Sequence, residues 1–226
     1  MRERLIVIVD CAAASAVEGV LGGVPAGTVL VQLRDKLADD ETLQMAAERL
    51  RRVTRTRGAR FVINGKIQLA TEVGADGVHL PEAANSATGG SIATGGTLVL
   101  ARRALGKGAL VGQSRHSIEG VLAAAAEGAD YLTIGPVWAT PGKGTPQGIE
   151  FVRDAAFELR SATDRRSAWD DRAAPRTAAL GPRLFALGGI DSPDKAAECV
   201  RAGAHGVALI RAAGRAAELL AAMENA

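Results

Sequence analysis

Hydrophobic positions along this chain fall into two alternating textures. Short continuous apolar runs at 5–10, 28–36, 60–63, 77–80, 109–112, 131–134, 183–187 and 206–210 read as strands buried on both faces. Between them lie longer stretches with helical spacing. The clearest is 40–57, where Leu43, Ala46, Ala47 and Leu50 form one stripe against an Arg/Glu face. Further helices are expected over an Ala-rich segment ending at Leu21 and over 67–73, 98–105, 118–127, 149–159, 193–201 and 215–223. Ser192 is placed to cap the helix that Pro193 starts, and Gly128 to end another.

A repeated turn gives this alternation its period. Gly74 opens GADGVHL, Gly128 opens GADYLTI and Gly203 opens GAHGVAL, each time just before a strand. The first interval fits two βα units. The second fits two units plus an extra stretch, 161–182. Strand–helix alternation with this repeat predicts an α/β fold, a (βα)8 TIM barrel in a single domain over 1–226. The extra stretch follows a helix and precedes a strand, so it is expected as a surface insertion on the face away from the site, with Trp169 packing outside the barrel. The segment 84–96 is small and polar and is expected as a mobile loop.

Composition narrows the function classes. The 226 residues are 47% hydrophobic and 23% charged, enough to bury a large core. Aromatics are 3%, the net charge is +2 and the basic residues are dispersed, which argues against nucleic acid and against a membrane surface. Cys11 and Cys199 have no metal or redox spacing and read as free thiols in a reducing cytoplasm, the expected localisation. The N-terminus lacks a signal-like apolar run, and no run approaches membrane-span length.

Barrel chemistry gathers at the C-terminal strand ends. Gln32, Arg34 and Lys36 alternate there on strand two and are expected to share a face. Asn64, His79, Glu82, Ser114, Arg115, His116, Thr140, Lys143 and Arg211 fall at other strand ends. The mouth is cationic through Arg34, Lys36, Lys143 and Arg211, with Arg115 a further candidate, so an anionic ligand such as a phosphate ester is implied. Gly188, Gly189 and Ala212 sit where barrel amides cup a phosphate; a tight strand-to-helix turn is the plain alternative. His79, inside a strand, suits a satisfied core histidine as well as a functional one. His116, in a polar loop, suits proton transfer and is the candidate catalytic residue. His205 reads as structural, and no metal constellation is visible.

In order, VQLRDK, FVINGK, GADGVHLPE, GQSRHS, GPVWATPGKG, FALGGI and GAHGVALIRA resemble the motifs of the thiamin phosphate synthase and TenI-type thiazole tautomerase superfamily. The resemblance implies a barrel of thiamin biosynthesis that binds a phosphorylated thiazole or pyrimidine, and leaves a homo-oligomer open. The synthase joins hydroxymethylpyrimidine diphosphate to thiazole phosphate with magnesium. On that pattern Gln32, Arg34, Lys36, Asn64, Ser114, Thr140 and Lys143 would face the pyrimidine diphosphate, and Gly189 with its neighbours the thiazole phosphate. Two departures matter. The synthase Asn-Asp is here Asn64-Gly65, and its second magnesium carboxylate falls on Ala84, leaving Glu82 as a displaced substitute. Arg211 stands where the family commonly has Ser. These departures favour, in order, a thiazole tautomerase using His116 without cofactor, the synthase, where magnesium would be needed, and a non-catalytic phosphate-ligand binding protein.

Overall fold

Apolar runs flanked by amphipathic helices bury both their faces either in an open sheet with helices on each side or in a closed barrel, and in the computed structural model the sheet closes. The structure describes residues 2–82, 94–167 and 181–226. Among them, β1 (Leu5–Val9), β2 (Val29–Leu33), β3 (Arg60–Asn64), β4 (Gly77–Leu80), β5 (Leu110–Arg115), β6 (Tyr131–Ile134), β7 (Arg183–Leu187) and β8 (Gly206–Leu209) pair in parallel, in sequence order, and β1 closes on β8. The helices between them are α1 (Val17–Gly22), α2 (Asp40–Thr56), α3 (Ile67–Glu72), α4 (Thr94–Leu105), α5 (Ile118–Ala126), α6 (Gly148–Ser167), α7 (Pro193–Arg201) and α8 (Ala216–Glu224). This is a (βα)8 barrel. Among the described residues, no helix is long and apolar enough to cross a membrane.

Successive strand residues point alternately into the barrel and out to the helices, so the core divides in two. Ile6, Ile8, Leu30, Val62, Leu110, Tyr131, Phe185 and Ala208 fill the lumen. Leu5, Val7, Val31, Phe61, Ile63, Leu132 and Leu184 face the helix layer, where Leu43, Ala47 and Leu50 of α2 meet them.

The repeated turn is a latch. Asp76 accepts a hydrogen bond from the Phe61 amide of β3 at 2.8 Å and pairs with Arg51 of α2 at 2.7 Å. Asp130 does the same for the Val111 amide of β5 at 2.7 Å and for Arg102 of α4 at 2.9 Å. One carboxylate thus ties a helix and two consecutive strands at the N-terminal end of the barrel. In the third copy His205 takes that place, and its Nε2 meets the Glu3 carbonyl at 2.9 Å, a structural role as expected. Burial pushes the His205 pKa down to about 4, so its ring is neutral. The glycine opening each copy lies at positive φ (63°, 87° and 104°), which reverses the chain after a helix.

Several boundaries differ from the sequence reading. β2 stops at Leu33, so Arg34 and Lys36 lie beyond the strand, although the Arg34 amide still bonds Val9 at 2.8 Å. β5 runs on through Gln113, Ser114 and Arg115, and α4 begins at Thr94. α6 continues to Ser167, so the first third of the expected insertion is helix. Residues 168–180 of it, Trp169 included, and most of the 84–96 segment lie outside the described residues.

At the N-terminal end Glu3, 3% exposed, forms a two-pronged ion pair with Arg60, one contact being 2.5 Å. Burial raises the Glu3 pKa, but hydrogen bonds to Arg60 and to backbone, together with the charges of Arg60 and the N-terminus, outweigh it and hold the carboxyl below its usual 4.5. A lowered folded pKa contributes stability above 4.5 that is lost as pH falls through the folded value. Glu3→Gln is expected to cost about 1–2 kcal/mol at pH 7, moderated because Arg60 is 35% open to solvent. Urea titrations from pH 7 to 3 check this: the gap between wild type and variant narrows toward acid.

Candidate active site

The mouth at the C-terminal strand ends is polar on the inside and cationic at the rim. Gln32 is the inward residue of β2, 1% exposed, and its Nε2 is buried without a hydrogen-bond partner. Asn64 ends β3 beside His79 of β4. His79 is 2% exposed; Nδ1 lies 3.2 Å from the Tyr131 hydroxyl and Nε2 2.8 Å from Ser114 Oγ. Ser114 Oγ is 3.1 Å from Thr133 Oγ1. Burial, then the charges of Arg34 and Arg115, push the His79 pKa down to about 3. It is neutral at working pH, a core histidine that nevertheless carries the floor of the mouth.

Above this floor Arg34, Lys36 and Lys143 converge from the β2 and β6 loops. Burial lowers the Lys143 pKa and the charges of Arg34 and Lys36 lower it further, the signature of like charges gathered without their counter-ion. A cavity of about 180 Å³ shares with Lys143 the loop after β6 and is lined by Thr140, Gly188, Gly189, Arg211 and Ala212 among others. Thr140 Oγ1 donates to the Trp138 carbonyl at 3.0 Å, which fixes the loop against the glycines. Gly189 lies at φ 67°, and a Cβ there would sit 2.6 Å from that of Trp138, so only glycine leaves the backbone open to the cavity. Lys195 of α7 braces the same loop, donating to the Gly189 carbonyl at 2.9 Å and to Asp191 at 2.8 Å.

His116 stands at the rim, just past β5, with its side chain 55% exposed. Its Nδ1 meets the Gly135 carbonyl, which must accept, so Nδ1 carries the proton and Nε2 is left to take or return one. Glu82 Oε2 lies 3.8 Å from that Nε2. Arg115 corrects the sequence reading: it is 3% exposed and faces outward, donating to the carbonyls of Ser114 and Gly120 and to Gln113. Because β5 extends through it, alternation turns Ser114 in and Arg115 out, and Arg115 adds no free charge to the mouth.

The donor set does not suit magnesium, which wants carboxylate oxygens in a near-octahedral set. Gly65 offers no side chain, and 83–93 contains no carboxylate in its sequence. Asp35 accepts backbone hydrogen bonds from Cys11, Leu37 and Ala38, which hold its pKa down to about 2. Asp191 is tied to Lys195. Among the described residues no three His, Cys, Asp or Glu side chains gather. A larger cavity, about 390 Å³, lies at the opposite end among Arg160, Thr163, Arg183 and His205, away from every group named above.

Two mouth residues escaped the sequence reading, Tyr131 and Thr133. Both read as plain β-formers. Only the alternation of β6, with Leu132 and Ile134 in the helix-facing core, would have pointed them inward.

A family model described as thiamine monophosphate synthase matches residues 5–213. A Geobacter sulfurreducens protein, provisionally named a thiamine-phosphate synthase, is 39% identical over 88% of this chain and 78% of its own. The thiamine-phosphate synthase of Gloeobacter violaceus is 38% identical over 82% of this chain, which spans only 46% of that longer protein. A thiamine phosphate pyrophosphorylase structure from Pyrococcus furiosus superposes with a TM-score of 0.72 over 99% of this chain and 96% of its own, at 24% identity, a likeness of fold.

Gly189→Ala is expected to weaken inorganic phosphate binding at least about 10-fold, since the new Cβ demands a strained φ and a shift of Trp138. Calorimetric titration of both proteins measures it; unchanged affinity places the anion elsewhere.

Proposed function

Since the chain belongs to the thiamine monophosphate synthase family, we propose that it is a thiamin-biosynthesis enzyme that forms thiamine phosphate from a pyrimidine diphosphate and a thiazole phosphate. The observation that carries this reading is the cluster of Arg34, Lys36 and Lys143 over a polar floor and beside a glycine-lined cavity. Two separate anionic places suit a reaction with two phosphorylated substrates.

In this reading the departing diphosphate develops charge against the three cations, and fixed positive groups aimed at that charge lower the barrier. Gly188, Gly189, Arg211 and Ala212 hold the thiazole phosphate. Gln32, Asn64 and Ser114 orient the pyrimidine. No step is assigned to a metal, because the donor set does not fit one. The names of the relatives thus place coupling ahead of the isomerisation that the missing carboxylates favour.

A second reading is supported by the His116 geometry. A histidine with Nδ1 anchored on a carbonyl and Nε2 at the rim is arranged to move a proton between neighbouring atoms of a bound thiazole carboxylate phosphate. One set of assays on purified protein decides between the two. Coupling is expected, with thiamine phosphate as product and Lys143→Met reducing it about 10²-fold, a usual loss for one stabilising charge. Thiazole isomerisation without coupling, falling about 10²- to 10⁴-fold in His116→Asn, would replace the first reading with the second.

A further inference from the structure

The floor of the mouth has a direction. Tyr131 is fully buried in the lumen, its ring beneath Gly112, where a Cβ would lie 2.0 Å from Cζ, and edge-on to Phe185 at 5.9 Å. The phenol therefore cannot swing, and its oxygen stays 3.2 Å from His79 Nδ1. On the far side of the same imidazole, Nε2 is 2.8 Å from Ser114 Oγ. Tyr131, His79 and Ser114 form a chain from the core to the mouth.

We propose that Tyr131 acts through His79 as a positioning residue: it donates to Nδ1, holds the proton on Nε2, and so leaves the Ser114 hydroxyl proton free for the bound ligand.

The argument is one of counting protons. Burial keeps His79 neutral, with one ring proton for two nitrogens. Burial also lifts the Tyr131 pKa far above its ordinary value, so the phenol keeps its proton. If Nδ1 carried the ring proton, the phenol oxygen would accept it, and the phenol's own proton would be left in a buried place without the acceptor that Nδ1 otherwise offers. With the proton on Nε2 the three donors along this line are used: the phenol to Nδ1, Nε2 to Ser114, and Ser114 to Thr133 Oγ1 in the free protein. A ligand atom over Ser114 must then be an acceptor, such as a ring nitrogen or an anionic oxygen. That last consequence rests on the mouth being the substrate site; the tautomer does not.

The test is imidazole nitrogen NMR on uniformly labelled protein without ligand, the His79 signals being assigned with His116→Asn and His205→Gln. The expected result is a neutral Nε2–H tautomer at His79 that does not titrate between pH 5 and 8. An Nδ1–H tautomer, or titration in that range, overturns the proposal, and the assigned wild-type spectrum decides it whether or not Tyr131→Phe folds. Tyr131→Phe keeps the ring and removes the donor; it should shift His79 toward a tautomer mixture, and an unchanged His79 spectrum would deny Tyr131 its role. Failure of thiazole phosphate to bind would count against the functional reading alone, since neither spectrum involves ligand.

Discussion

Closing the sheet gives each strand residue one of two addresses, lumen or helix layer, and the rest of the molecule follows from that constraint. It puts Tyr131 and Phe185 on the axis, and Leu132 and Leu184 under the helices. It sends Ser114 to the mouth and its neighbour Arg115 away from it. A one-residue slip of β5 against β6, paired Ser114 to Thr133, would exchange the two and leave a buried guanidinium in the lumen without an acid. The latches at Asp76 and Asp130 oppose such slips, because each fixes the first amide contact of a strand with a charged group.

The electrostatics of the mouth come from which charges are already occupied. Asp35 is spent on three backbone amides and Asp191 on Lys195. Arg34, Lys36 and Lys143 crowd one another instead. A site whose acids are engaged internally and whose cations are not selects an anion without further design.

How much could be read from the sequence depended on how local each cause was. Ser192 and Pro193 marked the start of α7 because capping is decided within a few residues. The Gly-Ala-Asp repeat disclosed the barrel because each copy is built alike, but it did not disclose that the aspartates reach a different strand. Strand ends were misjudged at β2 and β5, where length is set by partners: Arg115 stays in the sheet because it pairs with Ile134. The rim cations and the glycine cup were legible by residue type at expected strand ends. Tyr131 was not, since its place depends on a missing side chain at Gly112, on another strand. The order of the two candidate reactions was likewise not legible: the absent carboxylates argued one way and the names of the relatives argue the other.

The fit of the Tyr131 ring under Gly112 also bears on how this sequence can drift. A methyl group at 112 alone collides with the ring, and loss of the ring alone opens a void on the barrel axis. Each step costs packing on its own, so a change at one position calls for a compensating change at the other. Because His79 rests on that ring, a descendant that found a way to change both would acquire a different floor to its pocket, and with it a different chemistry of recognition.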